Sequence, residues 1–291
     1  MTCDIVHRTL YTYSAPVTVS QHAARVEPRS LPNHQFLESF QLRIEPEPSI
    51  RKVRTDYFGN QICFFSIQEV HTRLEIVAEC RVSVAELTPP TLFLSPEWED
   101  VSGLFSDPVS PNVVEPYEFV FDSPLLRASL ALEDYARQSF KQNGALLASV
   151  MDLNRRIHAD FKYDKIATTV ATPLEEVIKN RRGVCQDFAH FAIACLRSLG
   201  LPARYVSGYL RTVRPKGKPE LIGADASHAW FSVFCPGMGW VDFDPTNNMM
   251  PGTDHVTLAY GRDFADVSPV SGIITGGGRH KVKAGVTVSV L

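Results

Sequence analysis

The sequence has no run of uncharged apolar residues long enough to cross a membrane. It has no excess of charge either: 29 Lys and Arg stand against 32 Asp and Glu, a net charge of −3. That balance offers no basic surface for nucleic acid and no acidic tail. The first residues, Met1-Thr-Cys-Asp-Ile-Val-His-Arg, lack the basic start and apolar stretch of an export signal. The expectation is a cytoplasmic protein, without a membrane or nucleic-acid partner. Close cysteine spacings are also missing. Cys3, Cys63, Cys80, Cys185, Cys195 and Cys235 are scattered, with no Cys-x-x-Cys and no His-Glu-x-x-His. A disulfide framework is not expected, nor is a metal site or a cofactor.

What is present is an ordinary globular composition. The chain has 291 residues, 44% of them hydrophobic, enough to bury a core in one large or two ordinary domains. Residues 1–87 read as an antiparallel β domain, a sandwich or open barrel. Leu74, Ile76, Ala78, Cys80, Val82 and Val84 alternate with mostly polar neighbours, and Phe36, Phe40, Leu42 and Ile44 show a shorter version of that period. Gly59-Asn60 marks a hairpin.

Six prolines in 88–116 predict a linker packed on the surface across 88–122, with Phe93, Trp98, Leu104 and Phe105 too apolar for water. Ser123-Pro124 predicts a helix start. Further helices are predicted from about Ala145 to Phe161 and after Thr172-Pro-Leu-Glu-Glu. Residues 201–246 return to β. The segment 271–291 reads as a glycine turn followed by a final strand through Val282, Val286 and Val290.

The stretch from Gly183 to Gly200 carries the most chemistry. Val184, Phe188, Ala192, Cys195 and Leu199 fall on one helical face, and Phe191, Ile193 and Ala194 fill much of the rest. A helix apolar nearly all round is a buried central helix. Cys185 stands at its start, where unpaired backbone N–H groups favour a thiolate and can donate to a developing oxyanion. Cys195, two turns further in, reads as core.

Two strands follow, Ala226-Ser-His228-Ala-Trp230-Phe-Ser232 and Trp240-Val-Asp242-Phe-Asp244, around the turn residues Cys235-Pro-Gly-Met-Gly239. If paired residue numbers sum to an even value such as 472 or 474, His228 and Asp244 share a face, and the carboxylate can orient the imidazole. Asp242 has the same parity and is the rival. His190 on the central helix faces away from Cys185. His7, His22, His34, His71, His158, His255 and His280 read as surface or turn residues.

Four blocks then match a known pattern: Gly183-Val-Cys185-Gln-Asp-Phe-Ala189, Leu199-Gly-Leu-Pro-Ala-Arg204-Tyr-Val-Ser-Gly208-Tyr209, Ser227-His-Ala-Trp230 and Gly239-Trp-Val-Asp-Phe-Asp244-Pro-Thr246. They resemble the bacterial transglutaminase-like core. Tyr11-Thr-Tyr-Ser-Ala-Pro-Val17, Asp56-Tyr-Phe-Gly-Asn60 and His71-Thr-Arg-Leu74 resemble the N-terminal β region of bacterial members. Gly261-Arg-Asp-Phe-Ala-Asp-Val-Ser-Pro269 resembles their C-terminal stretch. The resemblance implies an α+β fold: a papain-like core at 123–270 whose cysteine helix packs on an antiparallel sheet, preceded by the β domain. It also implies a triad of Cys185, His228 and Asp244, deciding the aspartate in favour of Asp244.

That triad fits a cysteine nucleophile acting on a peptide or protein amide through an acyl-enzyme. The Cys185 N–H would hold the oxyanion with a second donor, for which Tyr163 is a weak candidate. Water as acceptor makes a peptidase or amidase; an amine makes a transglutaminase. Hydrolysis is favoured, since the animal cross-linking enzymes carry extra domains and calcium sites and no EF-hand loop is found here. The competing class is a catalytically idle binding or scaffold module.

Overall fold

A computed structural model describes residues 1–106, 114–169, 172–211 and 227–291. Pro108, Pro111, Ala226 and the 212–226 part of the expected β region lie outside the described residues.

The N-terminal β region is built on one long strand. β1 (Thr2–Ala24) is joined by β2 (Gln35–Glu45), β3 (Ile50–Thr55), β4 (Gln61–Ile67) and β5 (His71–Val84) in the order β2-β5-β1-β4-β3. The first half of β1 pairs with β5 and the second half with β4, with a register irregularity between Thr12 and Val17. Apolar residues from both halves meet in one cluster that includes Leu42, Ile44, Phe65, Ile67, Leu74 and Ile76. The alternating residues of β5 from Leu74 to Val84 all point inward. Phe36 does not: it is 63% exposed, because a slip in the pairing between Leu37 and Ser39 reverses the inward phase of β2.

Short helices follow. In the proline-rich stretch, α1 (Trp98–Leu104) forms after Pro96, and the one-turn α2 (Val114–Tyr117) contains Pro116. Trp98 and Phe105 are buried there, whereas Phe93 (81%) and Leu104 (47%) are exposed, contrary to expectation. Apolar character alone did not bury them because this segment presents only one side to the core. Ser123 does not cap a helix; its N–H and carbonyl close a turn with Leu126, and α3 (Leu130–Arg137) starts instead at Ser129, whose hydroxyl accepts the Leu132 N–H. α4 (Leu146–Asp160) and α5 (Leu174–Asn180) lie where the sequence placed them.

The buried helix α6 (Cys185–Ser198) packs on a four-stranded antiparallel sheet in the order β10-β9-β8-β11, with β8 Ala203–Leu210, β9 His228–Cys235, β10 Gly239–Phe243 and β11 His255–Gly261. A two-residue pair, β6 (Lys162–Tyr163) with β7 (Arg182–Gly183), lies at the entry to α6. Ala229, Phe231, Val233, Val241 and Phe243 share one apolar cluster with the α6 side chains. α6 ends in a Schellman turn: Leu201 N–H bonds to the Leu196 carbonyl, Gly200 N–H to that of Arg197, and Gly200 takes φ +73°. The result is the α+β arrangement of a cysteine helix on an antiparallel sheet behind an N-terminal β region. No helix among the described residues is long and apolar enough to cross a membrane.

The chain then returns to its beginning. After α7 (Phe264–Val267), β12 (Val270–Gly276) pairs with the second half of β1 and β13 (His280–Val290) with the first. Cys3, Ile5, Val82, Val286 and Val288 belong to the same cluster as α6, so the β region and the helical core share one interior.

Arg197 fastens α6 to three other segments. Its guanidinium donates to the carbonyls of Phe119, Ala203 and Arg262 and to the Ser123 hydroxyl. An Arg197→Met variant leaves those buried carbonyls without their donor and should lose about 3 kcal/mol or more, read as a lower urea midpoint; an unchanged midpoint would show that the carbonyls find other donors.

Several histidines expected at the surface are buried instead. His7 bonds to the Tyr209 hydroxyl and to Thr9; His22 stacks on Phe65. Burial holds the imidazoles of His7, His22 and His190 down to about 4, from an ordinary 6.5. Below 6.5 the unfolded chain takes up protons that the folded chain refuses, so stability falls as pH drops from 6.5 toward 4. Melting scans over that range should show a steady decline, shallower in a His7→Asn variant; a flat profile between pH 6.5 and 4.5 would contradict it.

Candidate active site

The start of α6 is shaped by one glycine and one aspartate. Val184, the cap, is extended (φ −109°, ψ −179°), and Cys185 is the first helical residue. Asp187, in the first turn, folds back to accept the Val184 N–H at 2.8 Å and the Thr168 hydroxyl at 2.6 Å. A Cβ on Gly183 would stand 2.5 Å from Asp187 Oδ2, so only glycine admits this fold-back. Burial pushes the Asp187 carboxyl up, against the two hydrogen bonds. Cys185 is left 8% exposed. Tyr163, beside Gly183 in the β6–β7 pair, is half-buried and edge-on to Phe188.

The β9–β10 register is even. Gly239 opposes Cys235, a sum of 474, and the same holds through Phe243 opposite Phe231. His228 and Asp244 therefore share a face, one pair apart. His228 Nε2 donates to Asp244 Oδ2 at 2.8 Å, and both side chains are fully buried. The other ring nitrogen has no nitrogen or oxygen partner. Cys185 acts on the ring through its charge. Burial alone would push the His228 imidazole down, but the charges of Asp244 and Cys185, with the hydrogen bond to Asp244, outweigh it and raise His228 to about 10. Burial likewise pushes Asp244 up, and His228 and His255 overcome it, holding the carboxyl far below the usual range. The arrangement is a thiol, an imidazole that keeps its proton, and a carboxylate that fixes the ring.

Asp242, the rival, serves another purpose. It accepts from the Trp230 indole at 2.9 Å and from the Ser232 hydroxyl, holding Trp230 against Gly208, where a Cβ would stand 2.2 Å from the indole ring.

Two members of this site escaped the sequence reading. His255, expected at the surface, is 2% exposed and donates from Nε2 to Asp244 Oδ2 at 3.1 Å. Asn247 donates to the same oxygen at 2.7 Å, while the N–H groups of Thr246 and Asn247 hold Oδ1. The signal for His255 was the apolar run that follows it: every residue of β11 is buried. Histidine at the head of such a strand is carried inside with it. The ligating atoms of His228, Asp244 and His255 lie within 4.8 Å of one another, so an ion seated among them would have to break both histidine–carboxylate bonds.

Comparison with known proteins agrees with this architecture. Residues 3–83 match the bacterial transglutaminase-like N-terminal region and residues 133–245 the transglutaminase-like superfamily. The chain belongs to the transglutaminase-like superfamily, in the bacterial form that carries this N-terminal region. An uncharacterized protein of Mycobacterium tuberculosis is 39% identical over 280 residues, 93% of this chain and 86% of the relative. A protein-glutamine gamma-glutamyltransferase of Pseudomonas aeruginosa is 35% identical over 124 residues, 42% of this chain and 18% of that enzyme. A crystal structure of a candidate cysteine protease from Cytophaga hutchinsonii shares the fold, with a TM-score of 0.71 and 21% identity over 99% of this chain and 98% of that one.

The donor role of His255 has a direct test. His255→Leu removes one partner of a fully buried carboxylate and should cost about 2 kcal/mol in urea unfolding at pH 7. His255→Gln, which keeps an N–H, should recover part of the loss. Equal stability of both variants and the parent would mean that the contact carries no weight.

Proposed function

We propose that this protein is a cysteine hydrolase that cleaves amide bonds in peptides or proteins through an acyl-enzyme, with Cys185 as nucleophile, His228 as general acid and Asp244 as the group that orients it. The observation that carries the reading is the fully buried His228–Asp244 bond, with an imidazole held protonated beside the thiol at a helix start. A protonated His228 stabilises a thiolate at Cys185. The thiolate attacks the amide carbonyl and forms the C–S bond. The oxyanion is held by the Cys185 N–H. As the C–N bond breaks, His228 delivers its proton to the leaving amine. His228 then takes a proton from water as the oxygen attacks the thioester; the C–S bond breaks, releasing the acid and restoring the Cys185 thiolate beside protonated His228. Asp244 stays ionised throughout and keeps the Nε2 proton in place.

Superfamily members act on protein and peptide substrates, which supports that substrate class. One observation favours a second reading: the relatedness to the Pseudomonas glutamyltransferase over part of the core. In that reading an amine replaces water in the second step and the first step is unchanged.

Alkylation by iodoacetamide, mapped by mass spectrometry across pH, tests the nucleophile. Burial pushes the thiols of Cys3 and Cys235 up to about 11, that of Cys80 to about 12 and that of Cys195 higher still, so these should stay unreactive. Cys185 should be modified selectively at pH 6 to 7, and His228→Ala should abolish that reaction. Asp244→Asn should lower amide turnover by roughly a hundredfold to ten-thousandfold with modest change in KM. A Cys185 no faster than an ordinary exposed thiol would overturn the proposal in favour of a binding module. Adding a primary amine to the turnover assay separates hydrolysis from transfer.

A further inference from the structure

The sheet face that carries His228 and Asp244 also carries a second assembly, further along the strands. Arg204 on β8 lies opposite Ser232 on β9, four residues from His228 and so roughly 13 Å along the strand. Its guanidinium is clamped between two rings, 4.3 Å from the centroid of Trp240 and 3.5 Å from that of Tyr260. The clamp fixes the plane of the fork. Its Nε reaches the Ser232 hydroxyl at 3.4 Å.

The two terminal nitrogens are unspent. Among the described residues they have no hydrogen-bond partner, and no carboxylate lies within ion-pair distance of them. The nearest acid, Asp242, has its oxygens occupied by Trp230 and Ser232. These nitrogens are not sealed into the core either: Arg204 keeps 8% of its surface exposed and lines a cavity of about 670 Å³. The cavity is walled by Leu87, Pro89, Met238, Met249 and Met250. Its remaining acids do not neutralise the arginine, since Asp254 pairs with Arg211 and Glu86 is exposed at the rim.

The cavity also abuts the proposed catalytic residues through one loop. Met249 exchanges both backbone hydrogen bonds with Asp244, and the Gly252 N–H points at His255 Nδ1. An occupant of the cavity therefore leans on the loop that fixes Asp244 and His255.

We propose that this cavity is a recognition site for a peptide carboxylate: a planar fork with two free donors at its base, apolar walls for the side chains that precede the carboxylate, and a shared loop with the catalytic residues. A buried, immobilised guanidinium with unused donors matches the two oxygens of a carboxylate. That the occupant is a peptide rests on the hydrolase reading; the carboxylate preference does not.

Binding is measured by calorimetry on the Cys185→Ala variant, so that catalysis plays no part and a failure here is distinct from an inert Cys185. The probes are N-acetyl-leucyl-leucine as free acid, the same compound as carboxamide, and N-acetyl-leucyl-glutamic acid with only its α-carboxyl amidated, so that its side-chain carboxylate is free. The free acid should bind at least tenfold more tightly than the carboxamide. Arg204→Gln should abolish that difference, and Leu87→Glu, a change at a residue 52% exposed at the rim, should reduce it to less than threefold without disturbing the fold. If the glutamic probe binds like the free acid, the site accepts side-chain carboxylates as well; if it binds like the carboxamide, the site reads chain ends. Equal affinities for acid and carboxamide, no binding of any probe, or a preference that survives either substitution would overturn the proposal and leave Arg204 as a clamp between two rings.

Discussion

A carboxylate removed from water must collect hydrogen-bond donors from the protein, and Asp244 collects five. Two come from histidine rings, one from the Asn247 amide and two from the N–H groups of Thr246 and Asn247. Three pieces of chain carry these donors in. His228 arrives on β9, His255 on β11, and Thr246 and Asn247 on the loop that Met249 closes. Asn154 of α4 reaches the Asp244 carbonyl at 3.3 Å. Much of the sheet and its loops is thereby committed to one buried charge. The same charge keeps a proton on His228, which ties the packing of the core to the chemistry proposed for Cys185.

The parts of this arrangement that depend on local rules were legible in the sequence. α6 is apolar on almost every side, and a helix of that composition has nowhere to go except the interior. The Gly200 stop followed from the left-handed conformation that a helix C-terminus often requires. The hairpin of His228 and Asp244 was legible from its turn residues, but whether the two share a face depended on an even register, which the pairing of Gly239 with Cys235 supplies. The illegible parts are those where tertiary context overrides local pattern. β1 was missed because its inward positions include His7 and Thr9, polar residues that break the alternation and find their partners only in Tyr209 and in each other. His255 looked like a surface residue because its partner, Asp244, belongs to a different strand. Phe36 misled because a single slip in β2 exchanges its inward and outward faces.

The site also shows how glycine and aspartate divide labour at a helix start. Asp187 satisfies the Val184 N–H from inside the first turn, and Gly183 supplies the space for it. Cys185 is thus placed by backbone geometry, with its side chain free of any capping duty. Trp230 is seated in the same way over Gly208, with Asp242 holding the indole. An aspartate that sequence parity alone could not separate from Asp244 proves to hold an aromatic ring in place.

The return of the chain to its first strand has a further consequence. β1 is flanked on one side by β5 and β4, close to it in sequence, and on the other by β13 and β12, more than two hundred residues away. During synthesis the nearby partners are available early and the distant ones only after the transglutaminase-like core has been made. Until then one whole edge of a long strand stands open, with Val6 and Val19 on its outer face, and open edges recruit other chains. The transglutaminase-like core is in this sense an insertion inside a single sheet. Cutting the protein between its two family segments would not yield two independent halves: it would leave the first with an unpaired edge and the second with two strands that have nothing to pair with.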